Sequence, residues 1–575
     1  MKIAAIFMAL AVFAAPGPSG TGQGPADIPR LYAEIAGDYE FYFGQRYWIL
    51  LVTTDQGKLW GRNPGDSQRG ELRPVDIEGL KFKIEDPSKA PGHEQYIVFI
   101  RNQEGNISGL RLLAEGKESP GVKLPAGGRT PRPAESPFAV EDLRSDLLQI
   151  RRSLEEMHPA VYGFTNKEAF ERLYEEQLGR IDGPKTLGEF CRIAAPLVAA
   201  VGCGHTGLSV PNDYWTTAPP RFFPLGLRFV GGRAYVARGA DPAGILQPGS
   251  EIMSINGRSV SDIMKDLKAL VSSDGLNDGN KTARINALFP SLYATFGFPE
   301  EFAVEATPPG RKTAVEVRLR AIERSKIPAG PSAETQPTSS GDPNLDLKIL
   351  EGEGNTAVLT IRDFSYYQET DKFKGFIDGS FDRIRKAGVR HLILDLRDNG
   401  GGDPFCTTHL LSYLEPRPVA YFARVYPSPY ERFAEPIPRA AGAFEGKLFI
   451  LINARCFSST GHLCALLRYH KIGTFIGTET GGTYECNDAR REIHLEKTRL
   501  RLFVARMTFT AAVKGLPRYR GIIPDIEVEP GIADLLSGKD PVLERALSLI
   551  AGGGISASRV GLREGQVPSA GKDQD

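Results

Sequence analysis

The sequence predicts a multidomain protein of mixed α+β and α/β class, and three observations carry that expectation. Its 575 residues exceed what one hydrophobic core ordinarily supports. Residues 27–122 run as short β-rich segments separated by turn signals. From residue 345 onward, strand-like and helix-like segments alternate, the pattern of parallel strands joined by crossover helices. Lysine plus arginine and aspartate plus glutamate number 70 each, so the chain offers no global field for nucleic acid or an anionic membrane.

In chain order, residues 1–20 carry one early lysine, an apolar run from Ile3 to Ala15 and then small and proline-rich residues. This is the layout of a secretory signal peptide and predicts an exported protein, periplasmic or extracellular. The run is short for a bilayer crossing and no later segment is long enough, so no integral membrane span is expected. Residues 27–122 predict a β meander or small barrel, with breaks at Asp55-Gln56-Gly57 and Glu104-Gly105-Asn106. No ligand is assigned to it. Residues 123–137 are a proline- and glycine-rich linker.

Residues 138–215 predict a helical unit. Leu143, Leu147, Ile150 and Leu154 recur at helical spacing until Pro159 ends the run, and a second apolar helix leads into "GCGHTGL" with His205. Residues 218–323 predict a β domain. Within it Leu225-Gly226-Leu227-Arg228-Phe229 resembles the peptide-carboxylate loop of a PDZ domain, and "LQPGSEIMSINGRSV" is similar to the strand-turn-strand that such domains carry later. The resemblance implies peptide binding through Leu225, Gly226 and Leu227, by loop amides and an exposed strand edge. An ordinary β domain with a glycine-containing turn is the alternative. Residues 325–344 form a second linker, 345–550 the α/β domain and 551–575 a polar tail.

Two turns at strand ends in the α/β domain invite chemistry. Arg397-Asp398-Asn399-Gly400-Gly401-Gly402 lets backbone approach a ligand closely, but lacks the Lys-Ser/Thr of a P-loop. The second, "NARCFSSTG", follows the apolar run Lys447–Ile452 and precedes a helix with Leu463, Leu466 and Leu467 on one face. Taken locally, Ser458 and Ser459 fit either a helix cap or a nucleophile. The elbow pattern GxSxG is not met, because Cys456 holds the first glycine position.

The order of parts along residues 138–550 resembles the C-terminal processing peptidases and tricorn-like serine peptidases. The parts are a helical unit, a PDZ-like insert, "LILDLRDNGGG", "CFSSTGHLCALLRYHKIGTFIGTETGG" and "GIIPDIEV". The resemblance implies a crotonase-like αβ catalytic domain and a serine endopeptidase acting on peptide or protein substrates. The family's nucleophile lies nineteen residues before the glycine here numbered Gly477, which selects Ser458. The lysine base of many members would fall at Thr483, so the histidine of the tricorn-like branch, here His205, is the implied base. The amides of Gly401 and Ser459 are the implied oxyanion hole. The glutamate that orients the histidine in that branch would fall at Arg518, which leaves Asp525, Glu485 and Asp488 as open substitutes.

No cofactor or metal is implied. No CxxC pair exists, and His391, His409, His470 and His494 have no companion at ligand spacing. His158 is read as a helix cap or packing residue and His462 as bordering the pocket. Two rival readings stand beside the peptidase: a catalytically weak peptide binder, and a crotonase-like acyl-CoA enzyme.

Overall fold

The computed structural model describes residues 28–552 except 44–45, 63–68, 86–93, 103, 115–116, 125–132, 212–213, 218, 220, 240, 242, 329–340, 351–354, 368, 428–432 and 434. The expected signal peptide, most of both linkers and the tail beyond residue 552 lie outside the described residues. Chain contacts divide the protein into two compact units, residues 1–130 and 131–575.

In the first unit the β-rich segments close into an eight-stranded antiparallel barrel. Each strand pairs with its successor, and the first, Gly37–Phe43, also pairs with the last, Lys117–Lys123, through Tyr39↔Lys123 and Phe41↔Gly121. Closure removes both sheet edges. The alternate residues Tyr39 and Phe41, and Phe82, Ile97, Phe99 and Leu110 from other strands, are buried together with Leu31, Tyr32 and Ile35 of the helix Ile28–Ile35. The Gln56-Gly57 break is a tight hairpin turn with positive φ at both residues, as expected.

In the second unit, helices Val140–Met157, Lys167–Gly179 and Leu187–Ala199 form one cluster, in which Leu143, Leu147, Ile150 and Leu154 are fully buried. The following short strand, Gly207–Ser209, pairs with Arg501–Val504 (Phe503↔Gly207, Arg501↔Ser209), which in turn pairs with Arg491–His494. Buried Asp146 on the first helix accepts from the Lys497 and Thr498 amides at 3.0 and 2.7 Å. These contacts fasten the segment bearing His205 to the α/β domain.

Residues 226–320 contain a sheet ordered Gly226–Val230, Arg233–Arg238, Glu251–Ile255, Glu301–Thr307, Val315–Arg320, with a short sixth strand at Arg258–Ser259. Helices Val260–Ala269 and Asp278–Tyr293 pack on it.

The α/β domain is a six-stranded sheet ordered Leu345–Leu350, Thr356–Ile361, His391–Asp395, Lys447–Ile452, Thr474–Gly477, Ile526–Glu527, parallel from the second strand onward. A parallel strand is covered on both faces, hence the unbroken apolar run. Accordingly Leu448, Ile450 and Ile452 enter one core cluster while Phe449 and Leu451 enter another. Full burial of each such side chain is worth about 1.5–3 kcal/mol. Helices Thr370–Lys386, Pro404–Leu414 and Ser459–Tyr469 lie between the strands of this sheet along the chain. Leu463, Leu466 and Leu467 are buried. Among the described residues, no helix is long and apolar enough to cross a membrane.

Candidate active site

The carboxyl ends of adjacent parallel strands bring the two turns together, where α/β sheets ordinarily hold their ligands. Strand His391–Asp395 is anchored by Asp395. Burial alone would raise its carboxyl, but Arg397 and Arg362 hold it well below the usual range. Asn399, fully buried, then ties the turns to each other. Its Oδ1 accepts from the Gly401 amide at 2.9 Å and Thr460 Oγ1 at 2.8 Å, while its carbonyl accepts from the Phe457 amide at 3.0 Å.

Ser458 stands at the strand-to-helix turn with φ 56° and ψ −125°, a conformation that a residue with a β-carbon adopts rarely and at a cost of about 1–3 kcal/mol. Its hydroxyl makes no capping bond to the helix it precedes. The cap reading, open in the sequence, is therefore not what the side chain does. Instead Ser458 Oγ lies 3.1 Å from His205 Nε2, across 253 residues of sequence. The elbow conformation is present although its glycine pattern is not. The position of the first glycine is taken by buried Cys456, whose thiol donates to the Leu396 carbonyl at 3.0 Å.

Glycines make room around the serine. A β-carbon on Gly401 would stand 2.6 Å from the Phe457 carbonyl oxygen and 2.7 Å from Ser458 Cβ, and one on Gly482 would stand 2.8 Å from the Ser458 nitrogen. Ser459 heads its helix, where an N–H has no carbonyl within the helix to bond. The Gly401 amide already has a partner in this arrangement: it donates to Asn399, so Gly401 is a close-approach residue and not a free donor.

The His205 ring packs against Phe457, centroids 4.6 Å apart and planes at 32°. Arg284, over the same Phe457 ring at 5.2 Å, donates to the Gly204 carbonyl at 2.9 Å. Asp488 Oδ2 lies 3.6 Å from Nε2, the nitrogen that meets the serine. Asp525 is committed elsewhere, accepting from Arg468 and from the Phe475 amide at 2.8 Å. Glu485 is likewise held by Thr510 Oγ1 at 2.8 Å and by Arg518 at 3.2 Å. None of the three open substitutes meets the far nitrogen of the ring, Nδ1, which is buried without a hydrogen-bond partner.

A buried acid near the ring that sequence reasoning missed is Asp274, in the loop between helices Val260–Ala269 and Asp278–Tyr293. Its Oδ1 accepts from the Gly204 amide at 2.7 Å and its Oδ2 is buried without a partner. Cys203 Sγ, a His205 ring nitrogen and an Asp274 carboxylate oxygen all lie within 4.8 Å of one another. Burial pushes the Cys203 thiol up to about 12, so it is a neutral thiol at neutral pH. All six cysteines are free and buried.

Among the other histidines His462 feels the charges of His205 and Asp488 and so borders the site. His158 caps the helix Val140–Met157 and His462 lies in the nucleophile helix. Burial pushes each down to about 4, leaving both neutral at physiological pH. His409 pairs with Asp378 at 2.6 Å and His494 with Glu492 at 3.0 Å. In the sheet of residues 226–320, Leu225 and Leu227 are buried in the core, and the edge strand begins at Gly226. At Phe229 that edge is occupied. Asn286 accepts from the Phe229 amide at 2.7 Å and donates to its carbonyl at 3.2 Å.

A serine at positive φ with a histidine nitrogen beside its hydroxyl, at the end of a parallel sheet, is an arrangement suited to nucleophilic catalysis, and comparison with known proteins finds similarity to peptidases. Residues 355–528 match Peptidase family S41. It is 29% identical over 168 residues to the tricorn protease of Thermoplasma acidophilum, a match covering 29% of this chain and 15% of that relative's length. Among solved structures, mature CPAF is similar with a TM-score of 0.51 at 13% identity, covering 72% of this chain and 98% of that one. The photosystem II D1 C-terminal processing protease gives a TM-score of 0.36 at 15% identity, covering 71% and 97%.

Proposed function

We propose that the protein is an exported peptidase that cleaves peptide bonds of peptide or protein substrates through an acyl-enzyme on Ser458, with His205 as general base. The observation that carries this reading is the 3.1 Å approach of His205 Nε2 to the hydroxyl of a serine held at positive φ. The imidazole takes the Ser458 proton as Oγ attacks the scissile carbonyl, and the C–N bond breaks as the imidazolium returns that proton to the leaving amine. Water then repeats the sequence on the ester, releasing the acid and regenerating the serine.

The Ser459 amide, at the positive end of its helix, is the first donor to the oxyanion. Gly401 supplies a second only if its N–H exchanges Asn399 for the substrate oxygen. The domain of residues 218–323 acts as a PDZ-like module, with the Gly226–Val230 edge as the place where an extended peptide would pair. For that pairing to include Phe229, Asn286 must first leave. Export rests on the leader-like residues 1–20.

A fluorophosphonate probe tests the reading. Labelling is expected in the intact chain and in Ser459→Ala, and is expected to vanish in Ser458→Ala. Loss in Ser459→Ala alone would move the nucleophile by one residue. No labelling at either serine would favour the peptide binder.

A further inference from the structure

We propose that Asp274 is the carboxylate that positions the His205 ring, a role that rests on the Ser458/His205 reading and is supplied from the inserted β domain instead of the α/β domain. A ring nitrogen and a carboxylate oxygen of this pair lie within 4.8 Å of each other, and the atoms left without partners are of matching kinds. His205 Nδ1 and Asp274 Oδ2 are both buried, and neither has a hydrogen bond. Leaving two such groups unpaired costs about 1–3 kcal/mol each, whereas an Nδ1–H donating to the carboxylate satisfies both at once. It also fixes the tautomer with its lone pair on Nε2, the form that can accept the Ser458 proton. Contacts of this sort are often long before substrate binds and tighten afterwards.

The surroundings hold the carboxylate in place. Oδ1 is bonded to the amide of Gly204, the residue beside the histidine, so Asp274 is tied to the backbone it would orient. The loop is fixed on either side. Gly275 donates to the Gly202 carbonyl at 2.9 Å, Leu276 to the Tyr519 carbonyl at 3.0 Å, and Asn280 Nδ2 to the Ala454 carbonyl at 2.8 Å. Gly204 has no room for a side chain. A β-carbon there would stand 2.6 Å from the Phe457 ring and 3.3 Å from Asp274 Oδ1. The small residue before the histidine and Arg518 at the expected acid position thus have one explanation: the acid enters from another domain. Burial pushes the Asp274 carboxyl up, opposed by the positive charge of His205, the Gly204 amide and Arg284, so its ionised form depends on these neighbours.

The test is the rate at which a fluorophosphonate labels Ser458 in the full chain. Asp274→Asn keeps an oxygen for the Gly204 amide but turns an NH2 toward Nδ1, favouring the tautomer whose Nε2 carries a proton and cannot act as base. Asp274→Ala loses both contacts. A positioning role predicts that D274N labels about 10²- to 10⁴-fold more slowly than the parent and at least as slowly as D274A, with an unchanged thermal midpoint. A merely structural role predicts the reverse order, and D274N labelling near the parent rate would overturn the proposal. Should D274N fail to fold, D274E and D274Q read the same charge difference at matched size: D274E is expected to be faster, and equal rates would overturn it.

The parent rate is expected to be unchanged by EDTA. A loss with EDTA would overturn the positioning role in favour of a metal held by Cys203, His205 and Asp274. If Ser458→Ala labels like the parent, the underlying Ser/His reading falls and takes this one with it. If Ser458→Ala is silent while D274N is normal, only the Asp274 assignment falls.

Discussion

Two short segments come close to the same imidazole. Residues 453–461 meet its Nε2 through Ser458, and residues 270–277 bring the Asp274 carboxylate within 4.8 Å of a ring nitrogen. The first is legible in sequence as a turn between an apolar strand and a helix with three inward leucines, although only resemblance and counting single out Ser458 within it. The second reads as "LVSSDGLN", an Asp-Gly turn in a polar loop. Its character comes from burial. Ser272, Ser273, Asp274 and Asn277 are all buried, and the loop leans on Gly202, Tyr519 and Thr480. A residue on a continuous element can be found by periodicity, while one delivered by a loop from another domain becomes visible only when the domains are assembled.

Substitutions can sharpen the comparison. The largest effect is expected from His205→Ala, which removes the group both segments address. Labelling and turnover should fall by about 10⁴- to 10⁶-fold with little change in substrate binding, as a kcat against KM split would report.

Next come the two glycines that make space, one beside each segment. Gly401→Ala would drive a β-carbon into Ser458 Cβ and the Phe457 carbonyl, at a positive φ of 96°. Turnover should fall about 10²-fold, the scale of displacing a reacting group by about 1 Å, with about 1–3 kcal/mol of stability lost by overpacking. Gly204→Ala strikes the Phe457 ring, a side chain that can tilt, so a smaller loss of about 10-fold is expected. If Gly204→Ala proved the more damaging, the space beside His205 would be the stricter of the two. Steady-state kinetics with chemical denaturation measures both.

A milder contrast lies in pH. His158 and His462 have folded values near 4 against an ordinary 6.5, because burial disfavours the charged ring. Below 6.5 the unfolded chain takes up protons that the folded one refuses. Stability should therefore fall as pH drops from about 6.5 toward 4, by up to about 1.4 kcal/mol per unit for each ring, and be flat on this account above 7. Denaturant midpoints at pH 7.5 and 5, with His158→Gln as the comparison, check the sign.

Much of the fold was legible because its signals are repetitive. The alternation in residues 27–122 foretold β structure, and the hairpin breaks fell where expected, but closure into a barrel depends on the first strand meeting the last, a pairing of residues far apart. The helices of the α/β domain followed from the alternation of strand-like and helix-like segments, and the inward leucines from their spacing. For the site, Ser458 and His205 came from resemblance and counting, and their approach is a property of the fold: the strand after His205 joins the sheet that holds residues 501–504. Nothing in "RDNGGG" reveals that the asparagine folds back onto the Gly401 amide two residues on.

The smallest effect expected belongs to the second serine of the pair. Ser459 is buried, and its hydroxyl has no hydrogen-bond partner, whereas the hydroxyl next to it holds the histidine. Replacing Ser459 by alanine removes a stranded polar atom and leaves the backbone N–H, the only part of the residue the proposed reaction uses. Alanine is a poorer cap, but Ser459 is the first residue of the helix and Ser458 the cap position, so no capping bond is lost. Stability should stay level or rise by up to about 1 kcal/mol, with labelling within a few-fold of the parent, as denaturation and probe kinetics would show. A marked loss of labelling in a well-folded Ser459→Ala protein would mean that its hydroxyl finds a partner in the substrate.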